Sequence, residues 1–457
     1  MRKQTKAVDM TRGSILRCML LFTLPLIIGN LLQELYSVFD TMIVGRTLGV
    51  VQLAAVGVTG SLTFFAMGFT MGNANGCSVL TAQRLGAGDR EGVERSIAAH
   101  YVISLVEAVF LTGLFVFLTG PLLRLLNTGS DMLPYSMRYL RIIYVGLPAT
   151  ILYNMLSSTL RAVGDSRTPL LFLAVSSLLN IVLDFVFILV FHWGVSGAAL
   201  ATILSQLISG IACFVYTLKR FPELIPSRKA FSGIWKEVST ALKVGIPMGL
   251  NMSVTAAGIV ILARVLNAFG SSAVAAHTIC TKIQRLMETL MWSVSTAVST
   301  FVGQNYGARR YDRIRTGMKK ITLISLIYLI VFPALAYVFR GFLIRVFIGD
   351  GGPEVLAYTE QYMRWMCPTM WLLSFLHIYR GGNIGLGNGN ASLLSGISEL
   401  FARGAITPLL APLLGFTAIC ITGPLAWLFC TLLGITLFTV KLKKQEKALP
   451  QTDFSAS

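Results

Sequence analysis

Asn180 and Asp184 stand four residues apart in the stretch SLLNIVLDFVFILVF at 177–191, where nearly every other residue is apolar. Four residues is one helical turn, so both side chains share a face and offer oxygen atoms side by side. No basic residue sits in that stretch to neutralise the carboxylate. A second such face lies near the N-terminus, where Gln33, Tyr36 and Asp40 follow one another at three and four residues. Asn154 and Thr202 add further oxygen ligands from two other apolar segments. If these helices pack together, Asp40, Asn154, Asn180, Asp184 and Thr202 form an all-oxygen, doubly acidic pocket. Asp40, Asn180 and Asp184 in it are a candidate Na⁺ site. Alternatively the two carboxylates share a proton, because two close carboxylates resist ionising together. A bland reading stays open: a satisfied polar network that holds helices together.

Six of the twenty acidic residues fall inside apolar segments: Glu34, Asp40, Glu107, Asp184, Glu288 and Glu399. A charge at the centre of a bilayer costs roughly 2.5–3.5 kcal/mol, so each needs a partner, a proton or water. In the second half of the chain the spacing supplies partners. Glu399 and Arg403 are four apart, and Arg285 and Glu288 three apart, so ion pairs are expected there. Glu288 and Glu399 are kept as candidate substrate contacts beside Gln33 and Tyr36. The two halves thus differ in ionic chemistry, and the coupling chemistry is expected in the first.

The elements that must position these groups are membrane helices. Of 457 residues, 54% are hydrophobic and 13% charged, against about a quarter charged in soluble proteins. Twelve apolar runs are long enough to span a bilayer: 15–43, 51–77, 93–119, 134–160, 167–190, 195–218, 235–265, 272–301, 315–340, 356–385, 389–412 and 418–441. The net charge of +18 raises nucleic acid as a partner. Sorting the 38 basic residues by loop gives 27 on one side, including Arg161, Arg167 and Arg380, and 8 on the other. By the positive-inside rule both termini are cytoplasmic, and the charge needs no nucleic acid. Seven scattered cysteines without a CxxC pair read as buried hydrophobes. No HExxH sequence and no phosphate-binding glycine loop points to an enzyme.

The chain repeats itself at an offset of about 220 residues. QRLGAG at 83–88 matches QNYGAR at 304–309, Pro25 falls near Pro247, Pro148 near Pro368, and GDSRT at 164–168 near GNGNA at 387–391. The expected fold is therefore all-α and polytopic, with twelve transmembrane helices in two pseudo-symmetric six-helix lobes. These are residues 1–218 and 237–441, joined by a cytoplasmic linker at 219–236 and followed by a cytoplasmic tail at 442–457. Gly86 and Gly307 are expected as helix C-caps. Pro25 permits a kink, and a bend of the first helix when Asp40 changes charge is one use of it.

These stretches resemble the multidrug and toxic compound extrusion (MATE) family of secondary transporters, in its prokaryotic branch. The resemblance rests on DMTRG at 9–13, Pro25 with QELYSVFDTMIVG at 33–45, the paired Gln-x-x-Gly-Ala sequences at Gln83 and Gln304, LRAVGDSRTP at 160–169 and NIVLD at 180–184. It implies two lobes around a central cavity. It also implies export of organic cations or drugs across the cell membrane in exchange for H⁺ or Na⁺, with no other cofactor. Its cation site falls on Asp40, Asn180, Asp184 and Thr202, with Asn154 adjacent. Glu34 departs from the pattern, standing where members often carry an uncharged residue. The expected partners are the bilayer, a small cationic substrate and the coupling cation, with the protein a monomer. A lipid-linked precursor flippase of the same superfamily is the alternative, and calls for basic residues in the cavity.

Overall fold

The computed structural model describes residues 7–48, 50–126, 128–342 and 353–447, apart from the side chains of 35–42, 45, 46, 50, 53, 256, 260 and 271. Each of the twelve apolar runs is helical. They form α1 (Ile15–Leu48), α2 (Val50–Gly86), α3 (Arg90–Leu125), α4 (Leu133–Val145) with α5 (Leu147–Ala162), α6 (Arg167–Asp184) and α7 (Gly194–Arg220). The second series is α8 (Trp235–Asn267), α9 (Ser271–Gly307), α10 (Tyr311–Val338), α11 (Pro353–Thr369) with α12 (Trp371–Gly385), α13 (Gly389–Phe401) with α14 (Thr407–Leu414), and α15 (Thr417–Lys447). Among the described residues nine spans are long and apolar enough to cross a membrane, or ten if α4 and α5, bent by 45°, are one. The bend falls where Pro148 lacks the N–H that would continue the helix. On α3, Val109, Phe110 and Phe117 are 72%, 63% and 80% exposed. Water would not tolerate such a surface, and hydrocarbon would.

The chain divides into two compact units, Met1–Ala256 and Ala257–Ser457. In the first, α2 packs on α3 and α5, α6 on α7, and α1 on α6. Phe115 and Tyr144 lie 5.1 Å apart, centroid to centroid, in its core. The unit includes the first half of α8, which docks on α2 through glycine. A Cβ on Gly76 would sit 2.6 Å from the Cα of Gly245, so any larger residue would force the helices apart. Small residues let membrane helices approach this closely. In the second unit α9 packs on α11 and α12, and α12 on α15.

Both halves of the repeat carry the same local irregularity. The helix after the Gly164 turn runs to Asp184 and then widens into a π turn over Phe185–Val190. The helix after the Gly387 turn widens likewise over Ala402–Ile406. Such bulges frequently mark functional sites.

The expected C-caps are corrected. Gly86 and Gly307 are the last helical residues of α2 and α9, and the left-handed positions come two residues later, at Gly88 (φ 72°) and Arg309 (φ 57°). The helices run further than the apolar pattern does, because GAG and GAR complete a final turn before the chain reverses.

Candidate functional site

Asn180 and Asp184 are 1% and 0% exposed on α6. Turned so that its donor meets an acceptor, the Asn180 amide donates through Nδ2 to Asp184 Oδ2 at 2.9 Å. Its Oδ1 accepts from the Thr202 backbone N–H of α7 at 3.0 Å. The Thr202 hydroxyl donates to the Ala198 carbonyl at 3.0 Å. Three of the expected site residues therefore meet, held by the seam between α6 and α7. The seam is tight: a Cβ on Gly197 would lie 3.1 Å from the Phe187 backbone, in the π turn that follows Asp184. The C-terminal part of α1 joins it through Ile43 and Val44, which pack with Ile188 and Ala198 in one buried cluster. Tyr36 and Asp40 lie on α1, and their side chains fall outside the described residues.

A cavity of about 650 Å³ opens in the same unit. Gln33 of α1, Asn154 of α5 and Asn180 of α6 line it, with Pro25, and Phe64, Met67 and Met71 supply an apolar wall from α2. Methionine adapts its shape to varied partners. Asn180 thus belongs to two groups: it faces the cavity with Asn154 and Gln33, and it holds Asp184 and Thr202 behind it. Glu34 is exposed and is absent from the cavity lining, whereas its neighbour Gln33 is part of it. Sequence spacing did not single out the α2 wall, since a phenylalanine and two methionines in an apolar helix carry no mark of their own.

Two basic residues counted with the cytoplasmic loops lie within helices. Arg161 lines the cavity, donating to Ser157 Oγ and to Asn75 Oδ1, the latter at 3.0 Å. Arg380 is 8% exposed, inside α12. Arg161 falls one residue past the apolar run drawn to 160 and stands in the last turn of α5, whereas Arg380 lies inside the run drawn over 356–385.

The second unit has a different polar cluster. Glu399 Oε1 accepts from Arg380 Nη2 at 2.9 Å, and Glu399 Oε2 lies 3.4 Å from Arg403 Nη1. The Arg380 guanidinium also lies 5.5 Å from the Trp292 ring centroid. The pair expected from the 399/403 spacing is present, and Arg380 completes a triad that the sequence did not announce. The pair expected from the 285/288 spacing is absent among the described residues. Glu288 Oε1 accepts instead from Gln284 Nε2 at 2.8 Å, and Arg285 is exposed. Gln284, one turn before Glu288, takes the bond, and Arg285 turns to the surface.

Counted from the turn glycines Gly164 and Gly387, Asn180 and Arg403 occupy the same place, sixteen residues on, and so do Asp184 and Thr407, twenty residues on. Thr407 meets the Thr422 hydroxyl. The carboxylate of the first unit is thus replaced by a satisfied neutral group in the second.

An all-helical membrane fold of two repeated halves, with a polar cavity and a buried carboxylate beside it, defines a membrane transporter rather than an enzyme. The family model described as MatE matches residues 25–186 and 247–407, so the chain belongs to the MatE family and is a transporter. It is 33% identical over 368 residues to the probable multidrug resistance protein YpnP of Bacillus subtilis (strain 168), covering 79% of this chain and 80% of that one. It is 29% identical to the probable multidrug resistance protein YoeA of the same organism, covering 79% and 78%. A crystal structure of a MATE protein in the bent conformation matches with a TM-score of 0.88 at 25% identity, covering 98% of this chain and all of that one. The two family matches begin at Pro25 and Pro247, the same two prolines that the internal repeat aligns.

Proposed function

We propose that the protein is a secondary active antiporter. It exports drugs or other organic cations across the cytoplasmic membrane in exchange for H⁺ or Na⁺, by alternating access. The observation that carries this reading is Asp184, fully buried at the α6–α7 seam and hydrogen-bonded to Asn180, which itself faces the cavity. An ionisable side chain buried in a membrane-spanning segment beside a cavity is by default a candidate for an ion or proton pathway. The names of the two Bacillus relatives support drug export. The coupling ion takes Asp40, Asn180, Asp184 and Thr202 as its site, with Asn154 and Gln33 on the substrate side. Tyr36 and Glu288 remain proposed substrate contacts, whereas Glu399, expected as one from the sequence, is taken as structural because Arg380 and Arg403 hold it. Ion binding must differ between the two facing states, since a ligand that binds both equally shifts nothing. Pro25, in the cavity wall, is where α1 would bend. The two lobes are taken to divide at 219–236, with both termini cytoplasmic and the protein a monomer.

The test is efflux of a cationic dye from proteoliposomes, driven separately by a Na⁺ gradient and by a pH gradient. Efflux under at least one gradient is expected. Efflux under neither ends the antiporter reading.

A further inference from the structure

The wall of the first-unit cavity carries one charged side chain among the described residues, and it is a cation. Arg161 presents five N–H donors in a fixed fork. Its bonds to Ser157 and Asn75 use two of them. Both acceptors are neutral, and no carboxylate pairs with Arg161 among the described residues. The nearby aspartate in sequence, Asp165, is fully engaged elsewhere. Its Oδ1 accepts from the backbone N–H groups of Arg167 and Thr168 at 2.9 and 3.0 Å, and its Oδ2 from the Thr168 hydroxyl at 2.6 Å. These bonds run to the start of α6, and Asp165 forms no ion pair with Arg161 among the described residues. The turn that aims it away depends on Gly164, at φ 94°, where a Cβ would lie 2.3 Å from the Val8 carbonyl oxygen.

A guanidinium held at a cavity wall by neutral acceptors alone is a site that an oxyanion completes, because arginine matches a carboxylate two bonds at a time. The opposite end of the cavity has the opposite preference. Asn180 lies fourteen residues beyond Ser166 on one helix, which at 1.5 Å per residue is roughly 20 Å. There the Asn180 amide backs onto Asp184. Both Ser166 and Asn180 line the cavity.

We propose that Arg161, with Ser157 bonded to it and Ser166 on the same cavity wall, is an anion subsite, and that the preferred substrates are zwitterionic amphiphiles. Their carboxylate sits at Arg161, their apolar body lies against Phe64, Met67 and Met71, and their cationic end points toward Asn180. This names a substrate class for the proposed drug-export cavity and rests on that reading. A cation without a carboxylate meets an unbalanced guanidinium and binds less well.

The experiment uses the full-length protein in detergent and two fluorescent xanthylium dyes that differ in one group, a free carboxylate against its methyl ester. Binding is read by fluorescence polarisation at neutral pH. The acid is expected to bind the wild type about tenfold or more tightly than the ester, the range of a hydrogen-bonded charge pair. Arg161→Gln removes that preference while its affinity for the ester stays the same or rises, which a merely misfolded protein would not show. Arg161→Lys keeps part of the preference, and stands in for the glutamine variant if that one does not fold. Equal binding of the two dyes by the wild type, or an undiminished preference in Arg161→Gln, overturns the proposal. Because no gradient is applied, a protein that prefers the acid but fails in efflux keeps this inference and loses the antiporter reading. One that transports but shows no preference does the reverse.

Discussion

In the first unit a buried aspartate is held by a neutral amide; in the second a buried glutamate is held between two arginines. Asp184 meets the neutral amide of Asn180, with no arginine in an ion pair with it among the described residues. Glu399 is compensated twice over, and nothing is gained by discharging it. The two carboxylates do not stand at equivalent positions, but a partner of each does, since Asn180 and Arg403 occupy the same place after their turn glycines. One scaffold thus carries an amide-held carboxylate in one copy and an arginine-held carboxylate in the other, and the proposed exchange of charge is assigned to the first. The π turns beside both sites are common to the scaffold, so the difference lies in the side chains alone.

The comparison breaks most visibly at Glu399. Glu399→Gln strands two guanidiniums in a buried cluster, and breaking a buried pair costs about 3–5 kcal/mol. A large drop in melting temperature in detergent is expected, with gradient coupling retained by the molecules that stay folded. Little change in melting would mean that the triad is as loosely held as the aspartate. The next effect is smaller and falls on function. Asn180→Leu removes the hydrogen bond to Asp184, worth about 1.5–3 kcal/mol for a charged acceptor, or roughly ten- to a hundredfold in apparent coupling-ion affinity. The concentration dependence of efflux on the driving ion reads it; an unchanged half-saturation would remove Asn180 from the site.

The turns after α2 and α9 sharpen the comparison further. Gly88 and Arg309 both take left-handed backbone, which a residue with a Cβ adopts at a cost of roughly 1–2 kcal/mol. Arg309→Gly should raise thermal stability by about 1 kcal/mol, checked by melting against wild type, with no change in efflux. The smallest effect concerns pH. Asp89 accepts from the Gly92 backbone N–H at 2.8 Å and from Arg84 at 2.8 Å, which hold its carboxyl below the usual aspartate range. Its stabilisation is present above the ordinary aspartate pKa near 4 and is lost as pH falls below it. Arg310, the corresponding N-cap of α10, has no carboxylate to lose. Melting temperature measured downward from pH 5 should fall less steeply in Asp89→Asn than in wild type.

Much of this was legible in the sequence. Apolar length gave the twelve helices, because lipid demands it of every span. The 180/184 and 399/403 spacings placed partners correctly, because a helical turn fixes which side chains are neighbours. Distances across helices were not legible. The reach of Arg380 to Glu399 joins α12 to α13, and nineteen residues of separation announce nothing. Arg161 looked like a loop residue because a glycine turn follows three positions later, yet its helix runs through it. The π turns left no trace either, since PheValPheIleLeuVal at 185–190 is as good an α-helix as a π turn by composition.

The most direct test is gradient-driven dye efflux from proteoliposomes with Asp184→Asn, measured beside Glu399→Gln at matched amounts of folded protein. The account predicts that Asp184→Asn melts near the wild type and exports no dye under either gradient, while Glu399→Gln still couples. Wild-type coupled efflux by Asp184→Asn would contradict it.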